Sequence, residues 1–381
     1  MTGSEQVWRA AGVRIGEVLQ RLSRLRVEAA RAELKDSQHI HPRNSVLDVI
    51  VVASEAAEAE RAARVVEELA AHHPCRAVVV LDEPGGTESR IDATVTSITH
   101  DLMAGSVCQY EQVFLRVQGP AAEHIPSLVE SLLLPDVITF IWWAGSPPVG
   151  SKRFRTALAA GDVLLVDSSR FDRPYESFSA LAAEAAAAPA TSFGDLHWAR
   201  LEPWREVLAQ FFNPADRRGF LHGIGAVGID YVGEGRGNRS AAALLAGWLD
   251  SALGWKLQRV AAGAGGIMAC HFLSSGGHPV EVDMRPSQIE GLAPGEIGAI
   301  RVEAVANGQT CRLQAVRDGE DSGHVILDGE LRGLPIPRMV VPLPSRSEAS
   351  LLSGLLADAR SDRVYPASLI HAAGLLEAAR A

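Results

Sequence analysis

The sequence predicts an α/β fold in two parts: an N-terminal α/β domain with a mixed or largely parallel sheet, followed by an α+β domain with a mainly antiparallel sheet. Three observations predict it. Short apolar runs alternate with longer amphipathic segments over 45–190. Short strand-like segments, most of them separated by turns with Gly, Asn or Pro, follow one another from Lys256 to Pro342. The length of 381 residues also favours two domains over one.

The N-terminal segment predicts a helix and a linker. Ile15, Val18, Leu22 and Leu25 recur at helical spacing, so we expect the first 35 residues to form one amphipathic helix. The polar run DSQHIHPRN that follows contains a proline, which is typical of a linker. We therefore assign 1–44 to an N-terminal helix with its linker.

The first domain, 45–190, is predicted from strands interleaved with helices. The runs VLDVIVVA and RAVVVLDE indicate buried strands, and an Ala/Glu-rich helix lies between them. QVFLRVQ alternates as a strand does, and VITFIWW and DVLLVD predict two more strands around a short helix. An Ala-rich helix over 177–188 and the turn after it close the domain.

The second domain, 191–381, begins with the helical segment DLHWARLEPWREVLAQFFNP, in which Pro203 suits the first helical turn or produces a kink. A helix capped by Ser240 follows. The strand series then runs to Pro342, and the apolar spacing of SEASLLSGLLADAR and PASLIHAAGLLEAAR predicts two closing helices.

Charge and cysteine content limit the partners and the compartment. The formal net charge is -10, so nucleic acid and anionic membrane surfaces, which need a basic footprint, are not expected partners. The chain has no apolar run long enough for a membrane helix and no recognisable secretory leader. Its four cysteines lie far apart without a CxxC pair, which favours reduced, structural thiols. We therefore expect a cytoplasmic location.

Two glycine-rich segments resemble cofactor motifs. Gly223, Gly225 and Gly228 fit the GxGxxG spacing of a dinucleotide site, but a strand-like segment follows where a helix is needed. We interpret this segment as a glycine-containing strand at a sheet edge. The loop GEGRGNRS could offer Arg236 or Arg239 to a phosphate, yet it lacks the ending of a P-loop, so a solvated loop is favoured. We expect no cofactor.

The sequence gives little support for a metal site or for a catalytic nucleophile. The histidine and cysteine groups lack the paired spacing of a closed zinc site, so no metal is expected; they are His39/His41, His72/His73 and Cys270-His271 with His278. The segment LLVDSSRFDRP places Asp167 and Ser168 just past the carboxyl end of a strand, where open α/β sheets bind ligands. No base is tied to that serine by sequence, so a capping turn and a binding role stay equally open.

Aromatic pairs suggest a protein interface. Trp142 and Trp143 are strand neighbours, so their indoles should point to opposite faces of the sheet. Trp198 and Trp204 occur beside arginines at the start of the second domain, and exposed Trp and Arg dominate interface hot spots. The alternative is that both pairs hold the two domains together.

Several segments together resemble the OpcA family, the glucose-6-phosphate dehydrogenase assembly proteins. They are VITFIWWAGSPP, LLVDSSRFDRP, DLHWARLEPWREVLAQFF and RSAAALLAGWLDSALGW, and the resemblance spans about 45–255. It implies a partner that binds glucose-6-phosphate dehydrogenase, assists its assembly and raises its affinity for glucose 6-phosphate. It implies no catalytic residues. Redox control through cysteines, found in cyanobacterial relatives, is not carried over, because no cysteine pair is evident here.

The leading hypothesis is therefore a non-catalytic partner that binds, assembles and allosterically activates glucose-6-phosphate dehydrogenase, promoting oxidative pentose phosphate flux. One alternative is an enzyme or sensor that binds a sugar phosphate or nucleotide at LVDSSR or GEGRGNR. Another is a structural linker without a kinetic effect. The residues we expect to contact the dehydrogenase are Trp142, Trp143, Ser168, Ser169, Arg170, Trp198, Arg200 and Trp204.

Overall fold

The fold is described from a computed structural model, which covers residues 4–36, 45–70, 72–101, 107–188, 190–233, 238–319, 321–358 and 360–380. The chain forms two compact units, each assembled from separate stretches. The first unit comprises 1–167, 188–194 and 348–360, and the second comprises 168–187, 195–347 and 361–381. No helix in these described stretches is both long enough and apolar enough to cross a membrane.

One eight-stranded sheet has the order β1-β4-β5-β3-β2-β6-β7-β8. Pairing is parallel from β5 through β3, β2 and β6 to β7, and antiparallel between β1, β4 and β5. Its strands are β1 (Ser4–Ala10), β2 (Leu47–Ala53), β3 (Cys75–Glu83), β4 (Arg90–Asp101), β5 (Val107–Gln118), β6 (Ile138–Trp143), β7 (Val163–Val166) and β8 (Ser192–Asp195).

The strand order is that of a doubly wound sheet. The chain passes from β2 to β3 and β5 on one side, then returns to β6 and β7 on the other side of β2. Every residue of β2 is buried, as expected for a parallel strand with both faces covered. The helices of this unit are α1 (Ile15–Asp36), α2 (Ala56–Ala70), α3 (Ile125–Glu130), α4 (Lys152–Leu158) and α10 (Glu348–Asp358).

The N-terminus differs from the prediction of one helix. Ser4–Ala10 forms β1, and the helix begins only at Ile15. Exposure alternates along β1, which pairs with β4 in an antiparallel register at the edge of the sheet. A polar strand of seven residues is too short for its alternation to be recognised from the sequence alone. Its pairing with β4, which is distant in the sequence, makes this segment a strand. The predicted linker falls largely on 37–44, which lies outside the described residues.

The second eight-stranded sheet has the order β10-β11-β12-β9-β13-β14-β15-β16. It is antiparallel except for the parallel pair β9–β12, so the predicted, mainly antiparallel sheet is confirmed. Its strands are β9 (Ile224–Val232), β10 (Lys256–Ala262), β11 (Met268–Leu273), β12 (Pro279–Ser287), β13 (Ile297–Ala306), β14 (Gln309–Arg317), β15 (His324–Leu331) and β16 (Leu334–Pro342).

The glycine-containing segment GIGAVG forms a strand, but the expectation of an edge position is wrong. Within β9 this segment lies between β12 and β13 in the interior of the sheet. A Cβ on Gly228 would stand 2.0 Å from Arg285 Nη2, and one on Gly223 would stand 1.9 Å from the Val305 carbonyl oxygen. The glycines therefore allow neighbouring strands to approach, and they do not form a phosphate loop.

The helices of the second unit are α5 (Pro174–Ala187), α6 (Leu196–Arg200), α7 (Glu202–Phe212), α8 (Ala215–Arg218), α9 (Ser240–Leu253) and α11 (Val364–Ala378). Pro203 lies in the first turn of α7, where its missing N–H costs nothing. The sequence analysis ended the first domain at residue 190. In the structure, α5 packs on α11 in the second unit, and α10 packs on α2 in the first.

Candidate interaction surface and ligand cavities

Trp142 and Trp143 are both buried, with exposures of 1% and 2%. As strand neighbours on β6 they take opposite faces, and both faces of this sheet are covered. Trp143 packs against Phe154 with ring centroids 5.7 Å apart, and the Arg61 guanidinium lies 5.7 Å from the Trp142 ring. Neither indole is on the surface, so both are poor candidates for docking while this packing holds.

Trp198 and Trp204 are also buried, inside the second unit. The Arg205 guanidinium lies 3.7 Å from the Trp198 ring centroid, and Trp198 Nε1 donates a hydrogen bond of 3.3 Å to Asp362. Arg317 lies 5.9 Å from the Trp204 ring centroid. Arginine stacking and burial show a packing role for these indoles within their own unit.

The Ser168 turn joins a buried polar network. The Ser168 and His197 backbone N–H groups donate to Asp195 Oδ1 at 3.0 and 2.8 Å, and the Tyr365 hydroxyl donates to Asp195 Oδ2 at 3.4 Å. Asp195 thereby caps the start of α6. Burial raises the pKa of the Tyr365 phenol well above its usual value, and the Asp195 carboxylate raises it further.

The same network contains a serine–histidine contact that the sequence analysis missed. Ser168 Oγ lies 3.3 Å from His197 Nδ1, although 29 positions separate the two residues. Ser168 has no exposed surface and His197 is almost fully buried. A nucleophile must reach its substrate, so this arrangement favours a structural hydrogen bond over acyl-transfer chemistry. Only the tertiary fold could reveal the pair, since no motif links the two segments.

Three of the predicted contact residues reach the surface. Arg170 is exposed, and Ser169 and Arg200 are half-buried. Arg200 Nη1 donates to Ser169 Oγ at 3.4 Å, and Asn238 Nδ2 donates to the Ser169 carbonyl oxygen at 2.8 Å. These contacts hold the turn at the start of the second unit and leave its outer side chains facing solvent.

The loop before α9 differs in detail from the prediction. Arg236 lies outside the described residues, whereas Arg239 is buried and donates to Met268 Sδ at 3.3 Å. Ser240 is the first residue of α9 and not its cap, because its backbone N–H is bound by Asn238 Oδ1 at 3.0 Å. The N-cap position belongs to Arg239, whose side chain makes no capping hydrogen bond, so the prediction of a Ser240 cap is wrong.

Three cysteines, Cys75, Cys270 and Cys311, are buried, and none of these three is in a disulfide. Burial raises the pKa of the Cys270 thiol to about 12 and also raises the pKa of Cys311. Thiolate is the reactive form of cysteine, so these thiols are poorly suited to redox exchange near neutral pH. Nothing is described of the Cys108 side chain.

Histidine side chains serve hydrogen bonds in this structure. His278 Nδ1 lies 2.8 Å from Ser274 Oγ, and its Nε2 lies 3.1 Å from the Ile224 carbonyl oxygen. His73 Nε2 lies 2.6 Å from Ser353 Oγ. Within the stretches that the structure describes, no group of three or more His, Cys, Asp or Glu side chains could hold a metal ion. His39 and His41 lie outside those stretches.

Both units contain cavities of a size that suits small molecules. The first-unit cavity, about 600 Å³, opens at the carboxyl ends of β2, β3 and β6. The second-unit cavity, about 490 Å³, lies beside β10 and β11. The second is lined by Tyr175, Glu176, Arg239, Val260, Ala261, Ala262, Gly263, Gly266, Ile267, Met268, Ala379 and Arg380.

Solved structures share this fold at low sequence identity. One is the 3-ketoreductase KijD10 from Actinomadura kijaniata, solved with NADP and TDP-benzene, at 11% identity and a TM-score of 0.50, covering 88% of this chain and 97% of that chain. Another is an NAD binding oxidoreductase from Klebsiella pneumoniae, at 10% identity and a TM-score of 0.50, covering 88% and 96%. Such likeness shows the fold alone.

A nicotinamide dinucleotide, which that fold implies, does not fit the first βα turn. In doubly wound sheets this turn is glycine-rich, and its helix N-terminus holds the pyrophosphate. Here Ser54 and Glu55 form the turn, and Glu58 follows in the first turn of α2. A Cβ on Gly145, just past β6, would lie 2.2 Å from Glu58 Oε1, so a carboxylate fills the crevice between β2 and β6. The Glu58 side chain therefore occupies space beside Gly145 that a pyrophosphate would need.

Curated relatives match the chain over about two thirds of its length. The proteins named OxPP cycle protein OpcA are 26% identical in Synechocystis sp., 27% in Nostoc punctiforme and 28% in Synechococcus elongatus. The alignments cover 68%, 69% and 65% of this chain and 59%, 54% and 61% of those proteins. The chain thus spans somewhat more than half the length of the relatives it matches.

Two family descriptions match successive parts of the chain. Residues 66–183 match the N-terminal domain, and residues 191–369 the C-terminal domain, of a family described as glucose-6-phosphate dehydrogenase subunit, OpcA. Together they cover more than three quarters of the chain, in the order that the two-part fold requires. The resemblance seen in the local segments is thereby confirmed, and the chain belongs to the OpcA family.

Proposed function

We propose that this chain binds glucose-6-phosphate dehydrogenase as a non-catalytic partner, supports its assembly and activates it allosterically, promoting oxidative pentose phosphate flux. The observation that carries the proposal is the match of both halves, 66–183 and 191–369, to domains described as a subunit of that enzyme. The names of the relatives, which refer to the OxPP cycle, point the same way.

The sites that could support catalysis argue for the non-catalytic part of the proposal. Ser168 and His197 touch but are buried. The first βα turn carries carboxylates in place of a phosphate cradle. The Cys270 thiol stays protonated near neutral pH. Each of these features suits a binding protein better than an enzyme.

An apolar edge strand in the second unit offers a docking surface. On β16, Leu334 is 70% and Val340 59% exposed, and Met339 is also exposed. A group of exposed apolar side chains on one strand is a frequent mark of a protein interface. Pro335 and Pro337 remove backbone donors from this edge, so we expect side-chain contacts and not strand addition. The Arg170 turn offers a second, polar surface.

An activator must bind the active state of its target more tightly than the inactive state, since equal affinity for both shifts nothing. We place the interaction in the cytoplasm as part of the proposal. The buried cysteines Cys75, Cys270 and Cys311, none of them in a disulfide, suit a reducing compartment.

The test is a titration of the full chain into purified glucose-6-phosphate dehydrogenase of the same cell. We expect co-elution on size exclusion and a lower glucose 6-phosphate concentration at half-maximal rate. Val340→Lys should weaken binding at least tenfold by placing a charge in an apolar contact, and Arg170→Ala should reduce activation if the polar turn also docks. Ile370→Lys, an exposed apolar residue on α11, is the matched control.

The outcomes separate the alternatives. Co-elution with unchanged kinetics would indicate a structural linker protein. Neither co-elution nor a kinetic effect would refute the proposal as a whole. If Val340→Lys and Ile370→Lys weaken binding equally, β16 is not part of the docking surface. If the Arg170→Ala variant still activates the dehydrogenase fully, the polar turn is not part of it either.

A further inference from the structure

The first-unit cavity lies where doubly wound sheets bind ligands. It opens beyond the carboxyl ends of β2, β3 and β6, at the reversal of strand order. Its volume of about 600 Å³ falls in the range of small-molecule sites. Its lining includes Val52, Asp82, Glu123, Trp143, Lys152 and Arg153.

A buried carboxylate with a free oxygen points to a ligand here. Asp82, the penultimate residue of β3, is 2% exposed and lines the cavity. One of its oxygens pairs with Arg153, whereas Oδ1 is buried without a hydrogen-bond partner. Buried polar atoms normally have partners, and each exception asks for an explanation. A donor from a bound molecule would supply the missing hydrogen bond.

The position of Asp82 indicates what that donor is. In doubly wound sheets, an acidic residue at the end of the second parallel strand accepts hydrogen bonds from ribose hydroxyls. In this sheet β2 is the first such strand and β3 the second, so Asp82 holds that position. Glu83, the next residue, points to the opposite face and pairs with Arg116 at 2.8 Å.

The remaining lining consists of an apolar part and a rim with charged side chains. Trp143 and Val52 form a buried apolar part of the lining, which also contains prolines. Lys152 and Glu123 are both exposed at the rim, and burial lowers the pKa of the Arg153 guanidinium. An apolar slot suits a flat heteroaromatic base, and a cation at the rim suits a phosphate. A hexose phosphate would leave the apolar part of the lining unused.

We propose that the first-unit cavity binds a 5′-ribonucleotide, with the ribose hydroxyls on Asp82, the base on the apolar part of the lining and the phosphate beside Lys152. A single nucleotide fits where a dinucleotide does not. The Glu58 carboxylate closes the neighbouring crevice in which the second half of a dinucleotide would continue. This site is separate from the proposed docking surfaces, and its test needs no dehydrogenase.

The experiment is calorimetric titration of the full chain with adenosine 5′-monophosphate, its 2′-deoxy analogue and glucose 6-phosphate. We expect saturable binding of the ribonucleotide below ~1 mM. The deoxy analogue should bind at least tenfold more weakly, because the site is left with an unpaired carboxylate oxygen. Glucose 6-phosphate should bind at least tenfold more weakly as well.

Matched variants locate the site. Asp82→Asn should weaken ribonucleotide binding at least tenfold, whereas Glu83→Gln, on the other face of β3, should leave it unchanged. Lys152→Ala tests the phosphate end without disturbing the core, and Arg155→Ala removes a cation from the same helix away from the cavity. Circular dichroism checks that each variant folds. If Asp82→Asn does not fold, the change in ribonucleotide binding in Lys152→Ala decides the test instead.

Several results would overturn the proposal. Absence of ribonucleotide binding would do so directly. Equal affinity for the ribonucleotide and its deoxy analogue would remove Asp82 from recognition. Tighter binding of glucose 6-phosphate would assign the cavity to a sugar phosphate instead. Equal losses in Lys152→Ala and Arg155→Ala would indicate non-specific attraction of an anion.

Discussion

Asp48 shows how a buried charge is held in place. Its carboxylate lies at the start of β2 with no exposed surface, and Oδ2 accepts a hydrogen bond of 2.7 Å from the Leu134 backbone N–H. Burial raises the pKa of Asp48 to about 6, against the lowering effects of that hydrogen bond and of Arg76. Arg76 is in turn paired with Glu111 at 3.1 Å. The buried Arg76–Glu111 ion pair therefore offsets only part of the free-energy cost of burying the Asp48 carboxylate.

Asp48→Asn should therefore change the pH dependence of stability. The folded chain holds the Asp48 proton up to about pH 6, whereas the unfolded chain releases it near the ordinary aspartate pKa of 3.8. The contribution of Asp48 to the free energy of unfolding is therefore fully present below about pH 3.8, and it is lost as the pH rises to about 6. Asn keeps the hydrogen bond and never ionises, so the variant should gain up to about 3 kcal/mol over wild type between pH 3.5 and 7.

The measurement is urea unfolding of both proteins across that pH range. Asp162→Asn serves as control, because Asp162 is exposed yet also accepts a backbone hydrogen bond, of 2.9 Å, from Thr139. A free-energy difference between Asp48→Asn and wild type that does not change with pH would contradict the assignment.

Close helix packing in the second unit depends on a single glycine. A Cβ on Gly247 of α9 would lie 2.5 Å from the Ser368 carbonyl oxygen and 2.6 Å from the Ala372 backbone nitrogen of α11. These contacts are with backbone atoms, which cannot rotate away as a side chain can. The two helices can approach this closely only because residue 247 lacks a side chain.

Gly247→Ala should lower the free energy of unfolding by about 1–3 kcal/mol, because overpacking forces the helices apart. Gly374→Ala, on the partner helix α11, meets nothing within 4 Å and should instead stabilise by up to about 1 kcal/mol through helix propensity. Chemical denaturation of the two variants gives both signs in one experiment. A stabilising Gly247→Ala would show that the helix crossing is looser than the structure describes.

At the level of the whole molecule, the C-terminal segment contributes to both compact units. In the first unit, α10 packs on α2, where Glu348 pairs with Arg61. In the second unit, α11 packs on α9 and α5 and buries Tyr365, Leu369 and Leu375 completely. A single cut in the sequence therefore cannot divide the chain into these two units.

Removal of residues 348–381 should prevent stable folding of both units. Each fully buried leucine contributes about 2–5 kcal/mol, and total stability is only about 5–15 kcal/mol. Removal of 379–381 alone deletes the exposed Arg380–Glu176 pair and should cost less than about 1 kcal/mol. Limited proteolysis and thermal unfolding distinguish the two truncations. Cooperative unfolding of either unit in the longer truncation would contradict this prediction.

Local sequence patterns determined much of this protein. Period-two and helical spacing predicted most strands and helices, including the antiparallel series from Lys256 to Pro342, because apolar periodicity is a local property. Distinctive segments such as VITFIWWAGSPP were enough to indicate the family. Strand β4, by contrast, was not assigned, since its Thr- and Ser-rich run gains its state from pairing with β5.

Only the tertiary structure decided which side chains meet and which are covered. Ser168 and His197, or Asp82 and Arg153, lie far apart in sequence and are brought together by strand order. The indole of Trp143 resembles an interface anchor in sequence, but helices cover both faces of its sheet, so it is buried. Burial depends on the packing of elements distant along the chain, and such packing leaves no mark in local periodicity.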